Sequence, residues 1–219
     1  MATAPAPTVL FPVYEGVDML DVTGPWEMFS WAGFRPVLVA QDAGTYTFRN
    51  GFEFCVPFAF RDVAPEFGAI WVPGGDPASL AALIGDPEQK YMNFLKFQAA
   101  GAGYVTSVCE GALLLAAAGL LDGYRATTHW AFIPCLMRYA QIEVADGHPR
   151  FVLDRNRLTG GGISSGLDEA LKLIELLADT ETAQAVQQST QYYPDPPVSS
   201  AIPNTVSCPM DEVPKPQPL

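Results

Sequence analysis

Apolar residues along this chain fall into short runs separated by longer stretches of helical periodicity. Thr8 to Phe11, Pro36 to Ala40, Ala69 to Val72 and Val105 to Val108 read as buried strands, each closed by turn residues or by the start of a helical pattern. Between them, Thr23-Gly24-Pro25 before Trp26, Met28 and Phe29 predicts a helix with a Thr cap and Pro in its first turn. Pro77 to Leu83, Pro87 to Ala99, Ala112 to Leu121 and Trp130 to Arg138 read as further helices. Short strands are expected at Ala126 to Thr128, Gln141 to Val144, Phe151 to Leu153 and Arg157 to Thr159. A last helix over Leu167 to Ala178 carries Leu167, Leu171, Ile174 and Ala178 on one face. Tyr46 to Arg49 and Phe52 to Val56 flank Asn50-Gly51, a two-residue hairpin signal.

Strands alternating with helices predict an α/β fold with a doubly wound, mostly parallel sheet and a small β-hairpin insertion. Sites in such sheets form beyond the carboxyl ends of the strands. A single domain over residues 1–193 is expected. From Tyr193 onward Pro194, Pro196, Pro197, Pro203, Pro209, Pro214, Pro216 and Pro218 predict an extended tail over 194–219, free or laid along a partner subunit.

With 219 residues, 49% of them hydrophobic, the chain can bury a full core. Its net charge of −12 argues against the basic surface needed for nucleic acid and against attraction to anionic lipid. No stretch is long and apolar enough to span a membrane, and the N-terminus has no signal-peptide pattern, so a cytoplasmic location is expected. Cys55, Cys109, Cys135 and Cys208 are far apart and form no CxxC pair, so neither a disulfide framework nor a zinc knuckle is indicated.

Cys109 lies where the Val105–Val108 strand meets the Ala112 helix, with small Gly111 behind it, as in a strained nucleophile elbow. A helix N-terminus there favours the thiolate, bringing the pKa down from about 8.5 toward the roughly 3.5–7.5 range of activated cysteines. A buried core thiol is the competing reading. A nucleophile also needs a proton partner and donors for developing negative charge. Asp21 follows the first strand, whose end is expected to neighbour the elbow strand. Beside a thiolate its carboxyl would have a raised pKa and serve as a neutral acid, although a loop Asp capping the next helix is as common. Backbone N–H groups of Glu110 and of Gly74 or Gly75 are candidate oxyanion donors.

His129, with Thr128 before it, is a possible accessory base, the alternative being a packed, hydrogen-bonded histidine. His129 and Cys135 lack metal-ligand spacing, so no metal is expected. The run from Gly160 fails the GxGxxG pattern because Ser165 stands at its last position, and no phosphate loop occurs, so no nucleotide cofactor is expected. Gly162 and Ile163 are instead candidates for the pocket wall.

Leu-Asp-Val-Thr-Gly-Pro, Val-Pro-Gly-Gly, Thr-Ser-Val-Cys-Glu-Gly-Ala, Ala-Thr-Thr-His-Trp-Ala and Leu-Thr-Gly-Gly-Gly-Ile-Ser-Ser-Gly-Leu-Asp occur in this order. On these motifs the chain resembles the ThiJ/PfpI superfamily, and within it the isonitrile hydratases. The resemblance implies a flavodoxin-like three-layer fold related to class I glutamine amidotransferases, a homodimer, and a cofactor-independent cysteine nucleophile paired with a carboxylic acid. Cys109 matches the nucleophile and Asp21 the acid. The implied reaction adds water to an isonitrile, or a similar small electrophile, through a thioimidate. The hydratases carry Thr after the cysteine where this chain has Glu110. A glyoxalase-, deglycase- or amidase-like activity, or reversible oxidation of Cys109 in a sensor, are the other functions weighed.

Overall fold

A computed structural model describes residues 5–212. In chain order its elements are β1 (Thr8–Pro12), α1 (Met19–Trp31), β2 (Arg35–Ala40), β3 (Gly44–Thr47), β4 (Glu53–Val56), β5 (Phe58–Ala59), β6 (Ala69–Val72), α2 (Pro77–Gly85) and α3 (Lys90–Ala99). There follow β7 (Tyr104–Ser107), α4 (Gly111–Ala117), β8 (Arg125–Ala126), α5 (Ile133–Leu136), β9 (Glu143–Val144), β10 (Phe151–Asp154), β11 (Arg157–Gly160), α6 (Ser165–Leu177) and α7 (Thr180–Ser189). The main sheet runs β10-β11-β7-β6-β1-β2-β5, parallel throughout except where β10 pairs antiparallel with β11. Helices α1, α6 and α7 pack together, as do α2, α3 and α4, giving the doubly wound three-layer arrangement expected. The β3–β4 hairpin turns at Gly51, whose φ of 86° suits a residue without a side chain.

The central strands bury both faces, so they read as unbroken apolar runs; Ala69 to Val72 are fully buried. Phe11, Phe29 and Trp71 form the centre, with Trp71 5.5 Å from Phe29 and 6.1 Å from Phe11 between ring centroids. The Trp71 indole N–H donates to the Asp21 backbone carbonyl at 2.9 Å, tying the core to α1.

Several expectations are corrected. Helix α1 starts at Met19, with Asp18 in the cap position, and includes Thr23, whose hydroxyl donates back to the Met19 carbonyl rather than capping. Pro25, inside the helix, has no N–H to give the Asp21 carbonyl four residues back, and that carbonyl accepts the Trp71 indole N–H instead. Strand β6 intervenes between β1 and β7, so the ends of β1 and the elbow strand are next-but-one neighbours. In α6 the buried face is Gly166, Glu169, Ala170, Leu173 and Ile174, a rotation from the predicted stripe, and Ala178 lies outside the helix. Helix α7 (Thr180–Ser189) follows over a stretch for which the sequence reading offered no element.

Cys135 and Cys208 form a disulfide across 73 residues although the cysteine spacing indicated no disulfide framework, because tertiary proximity at such separation leaves no trace in spacing. The tail therefore returns to its own chain: Cys208 is buried, Met210 packs on the core and Arg138 pairs with Asp211. Pro214, Pro216 and Pro218 lie outside the described residues.

Trp71→Phe, which removes the indole donor and part of the ring, is expected to cost about 1–3 kcal/mol, against about 3–5 kcal/mol for Trp71→Ala. Urea unfolding measures both, and a negligible loss for Trp71→Phe would contradict a stabilising role for the bond to Asp21.

Candidate active site

Three neighbouring strand ends converge. Cys109 follows β7, Gly74 and Gly75 follow β6, and Asp21 comes from the first turn of α1 beyond β1. Cys109 has φ of 57°, the left-handed region that a residue with a Cβ enters only when its surroundings impose it. Those surroundings are visible: its N–H donates to the Gly161 carbonyl at 2.8 Å, and its carbonyl accepts the Thr128 hydroxyl at 2.8 Å. Gly111 lets α4 begin directly over β6, since a Cβ there would overlap the Val72 carbonyl.

The Cys109 sulfur, a carboxylate oxygen of Asp21 and one of Glu110 all lie within 4.8 Å of one another. Asp21 is fully buried, Cys109 1% exposed and Glu110 2%. The Gly74 N–H donates to Asp21 Oδ2 at 2.9 Å, while Asp21 Oδ1 and Glu110 Oε2 have no hydrogen-bond partner among the described residues. Gly74 is thus an orienter of Asp21 and its N–H is not aimed at an oxyanion. Gly75 serves close packing, for a Cβ there would sit 2.7 Å from the Gly16 carbonyl and 2.9 Å from the Val17 Cα.

Burial also reverses the expected electrostatics. The Cys109 thiol is pushed well up by desolvation first, then by the charges of Asp21 and Glu110; an Ile163 N–H contact draws it partly back. Asp21 is likewise raised well above the ordinary carboxylate range by burial and then by Glu110. Glu110 rises by burial, but the adjacent Cys109 thiol and its own backbone N–H pull it back. Burial thus favours the protonated thiol over the thiolate, and Glu110, drawn back by the thiol and its own N–H, is the less raised of the two acids. The three donors could also chelate a cation, a constellation that spacing did not suggest, although each would have to give up a proton held by burial.

A cavity of about 350 Å³ lies beside this cluster, lined by Leu20, Thr128, His129, Trp130, Gly162 and Ile163 among others. Ile163 joins the two: it lines the cavity, meets the thiol through its N–H, and is a β-branched residue at φ of 25°. His129 accepts the Ala131 N–H through Nδ1 at 3.2 Å, as the cap of a short 3-10 turn, and its pKa is lowered by burial and then by Arg49. A neutral, packed histidine on the wall is what the structure gives. Its ring lies against Gly162, where a Cβ would overlap it. Arg150, His148 and Ile202 also line the cavity and were not anticipated; Arg150 is paired with Asp168.

Glu169 was missed as well. It is fully buried in α6 against Gly160, and its pKa is raised well above normal by burial and by Asp21. Its place beside Ala170 on the inward face of α6 is the signal that could have found it.

A sequence profile described as the DJ-1/PfpI family matches residues 7–176. An isonitrile hydratase of Pseudomonas putida is 42% identical over 207 residues, covering 94% of this chain and 87% of that protein. A deglycase of Pyrococcus abyssi is 28% identical over 117 residues, covering 53% of this chain and 66% of its own. Among solved structures, a ThiJ/PfpI family protein from Pseudomonas syringae superposes with a TM-score of 0.81 at 33% identity, covering 89% of this chain and 78% of that one.

Two measurements test the electrostatics. In a Cys55→Ser background, Glu110→Gln is expected to move the pH profile of Cys109 alkylation by iodoacetamide downward, because a charge that holds the thiol protonated is removed; an unmoved profile would contradict this. Asp21 and Glu169 have folded-state pKa values above their unfolded ones, so their contribution to stability is complete below about pH 4 and is lost as pH rises toward the raised values. Asp21→Asn and Glu169→Gln are therefore expected to raise unfolding free energy relative to the parent at pH 7.5 and to change it little at pH 4, read by urea denaturation at both.

Proposed function

This chain belongs to the DJ-1/PfpI family, and from that premise we propose that it is a cysteine-dependent enzyme that hydrates isonitriles to N-substituted formamides. The observation that carries the reading is the meeting of the Cys109 sulfur with the Asp21 and Glu110 carboxyl oxygens inside 4.8 Å, in a buried site beside a cavity. The likeness to the Pseudomonas putida hydratase supports it.

An isonitrile carbon must receive both a nucleophile and a proton. In the proposed sequence ionised Glu110 takes the thiol proton as the Cys109 sulfur bonds to the isonitrile carbon, and protonated Asp21 gives its proton to that carbon. The product is a thioimidate, with Asp21 now the anion and Glu110 the acid. Water then attacks the same carbon, losing a proton to Asp21, while Glu110 protonates the imidate nitrogen. Collapse of the resulting adduct forms the formamide carbonyl and breaks the carbon–sulfur bond. The hydroxyl proton returns to sulfur through the carboxylates. Substrate plus water equals product, and all three side chains regain their starting states.

Substrate reaches the sulfur past Ile163, whose N–H can hold the oxygen of the water adduct. Access requires the Gly162–Ile163 turn to yield, which its strained backbone favours. Homodimer formation and a cytosolic setting are further parts of the proposal.

With a small alkyl isonitrile, the protein is expected to release formamide, and a rapidly quenched sample to carry the isonitrile mass on Cys109. Cys109→Ala should abolish both, and Asp21→Asn should lower turnover by about 10²–10⁴-fold. His129→Ala should leave most activity. Consumption of methylglyoxal, lost with His129→Ala and unaccompanied by any formamide, would replace this reading with a deglycase-like one.

A further inference from the structure

The described C-terminal segment has an anchor at each end and little between. At its start, Gln187 Nε2 on α7 donates to the Tyr192 carbonyl at 3.3 Å, and Tyr192 packs against the core. At its far end Cys208 is buried and bonded to Cys135. Arg138 and Asp211 add a two-armed ion pair just beyond. Residues 194–207 form no helix or strand, and the prolines among them lack N–H donors. In the middle, Ile202 turns back to line the cavity that also holds Leu20, Trp130 and Ile163, while remaining 50% exposed.

We propose that residues 193–208 are a strap over the cavity that Ile163 separates from the Cys109 thiol, that Ile202 is the strap residue that meets the substrate's apolar substituent, and that the Cys135–Cys208 bond holds the strap in place. The proposal rests on the reading of Cys109 as the group that meets substrate, and not on which electrophile that is. Trp130 and the turn capped by His129 run straight into α5, which carries Cys135. One covalent bond therefore joins the strap to the helix that continues directly from the wall residues His129 and Trp130. A segment without regular hydrogen bonding depends on its anchors, so losing one frees it to move. A dithiol reductant supplies two electrons and two protons, turning the bond into two thiols while becoming a disulfide itself. The mouth then widens.

The test uses the full chain in a Cys55→Ser background, so that Cys109 is the free thiol, with labelling located by peptide mass. Alkylation rates are measured with small iodoacetamide and with a bulky N-aryl maleimide. Ile202→Ala, the double variant Cys135→Ala/Cys208→Ser, and parent protein reduced and desalted are each expected to raise the bulky-to-small rate ratio about tenfold, the scale on which apolar pocket contacts discriminate. Ile202→Trp, made on the oxidised protein with the bond intact, should lower it, and this keeps the test open if the double variant fails to fold. A ratio unchanged by Ile202→Ala and Ile202→Trp overturns the strap. Absence of isonitrile turnover with a responding ratio overturns the hydratase reading and leaves the strap standing.

Discussion

The backbone of Gly74 is the joint on which the site depends. Its N–H holds the Asp21 carboxyl and its carbonyl accepts the Asp18 N–H at 2.9 Å, so the turn after β6 is bound to the start of α1 by both polar groups. On its other side a Cβ would lie 2.7 Å from the Glu110 nitrogen and 2.8 Å from the Cys109 Cβ. Strand β6 stands between β1 and β7, and only a residue without a side chain lets acid and thiol face each other across it. A methyl group there would drive the two apart, and the consequence would be chemical before it was structural.

That closeness, together with burial, sets the protonation state. Cys109, Asp21 and Glu110 sit inside a chain of net charge −12, and the Arg49 charge acts on Glu110 more weakly than burial and the Cys109 contact do. Three anions at that spacing would repel strongly in a medium of low polarity, so the groups are not ionised together, and burial favours the protonated forms of the thiol and Asp21. Such a cluster suits α-addition to a carbon that needs a proton as much as a nucleophile. It suits a free-thiolate mechanism less well, because ionising the sulfur means moving its proton to a neighbour rather than to water. The cost of burying these acids is offset by the sheet beneath, where Trp71 both fills the core and bonds to the Asp21 backbone.

Much of this was legible in the sequence. Unbroken apolar runs marked β1, β6 and β7, and the abrupt change at Val108-Cys109-Glu110 marked the elbow, because strand burial and helix start are local properties. The charge state of Cys109 was not legible: helix position argues for a thiolate, and burial first, then the acids brought beside it, reverse that. Asp21 was found for a partly wrong reason, since Thr23 does not cap α1 and β1 does not adjoin β7. Glu169 was hidden by the amphipathic pattern of α6, where Leu167 and Leu171 are apolar but only partly buried. The Cys135–Cys208 bond and the role of Ile202 arise from contacts between distant segments, which periodicity cannot carry.

The tail shows how a segment that cannot build secondary structure still acquires a position. Its prolines forbid a ladder or helix, so its place follows from where its ends are fastened and from the apolar side chains it can lay down. Cys208 and Met210 fasten one end beside α5, α7 fixes the other, and Ile202 falls between them at the cavity. A wall made this way is easier to move than one made by a strand, because no register has to break. Strands β6 and β7 hold the reacting groups, while the part of the cavity wall that Ile202 supplies is left to a segment tied at two points. This division matches what the chemistry asks for, fixed distances at the carbon being attacked and tolerance toward whatever is attached to it.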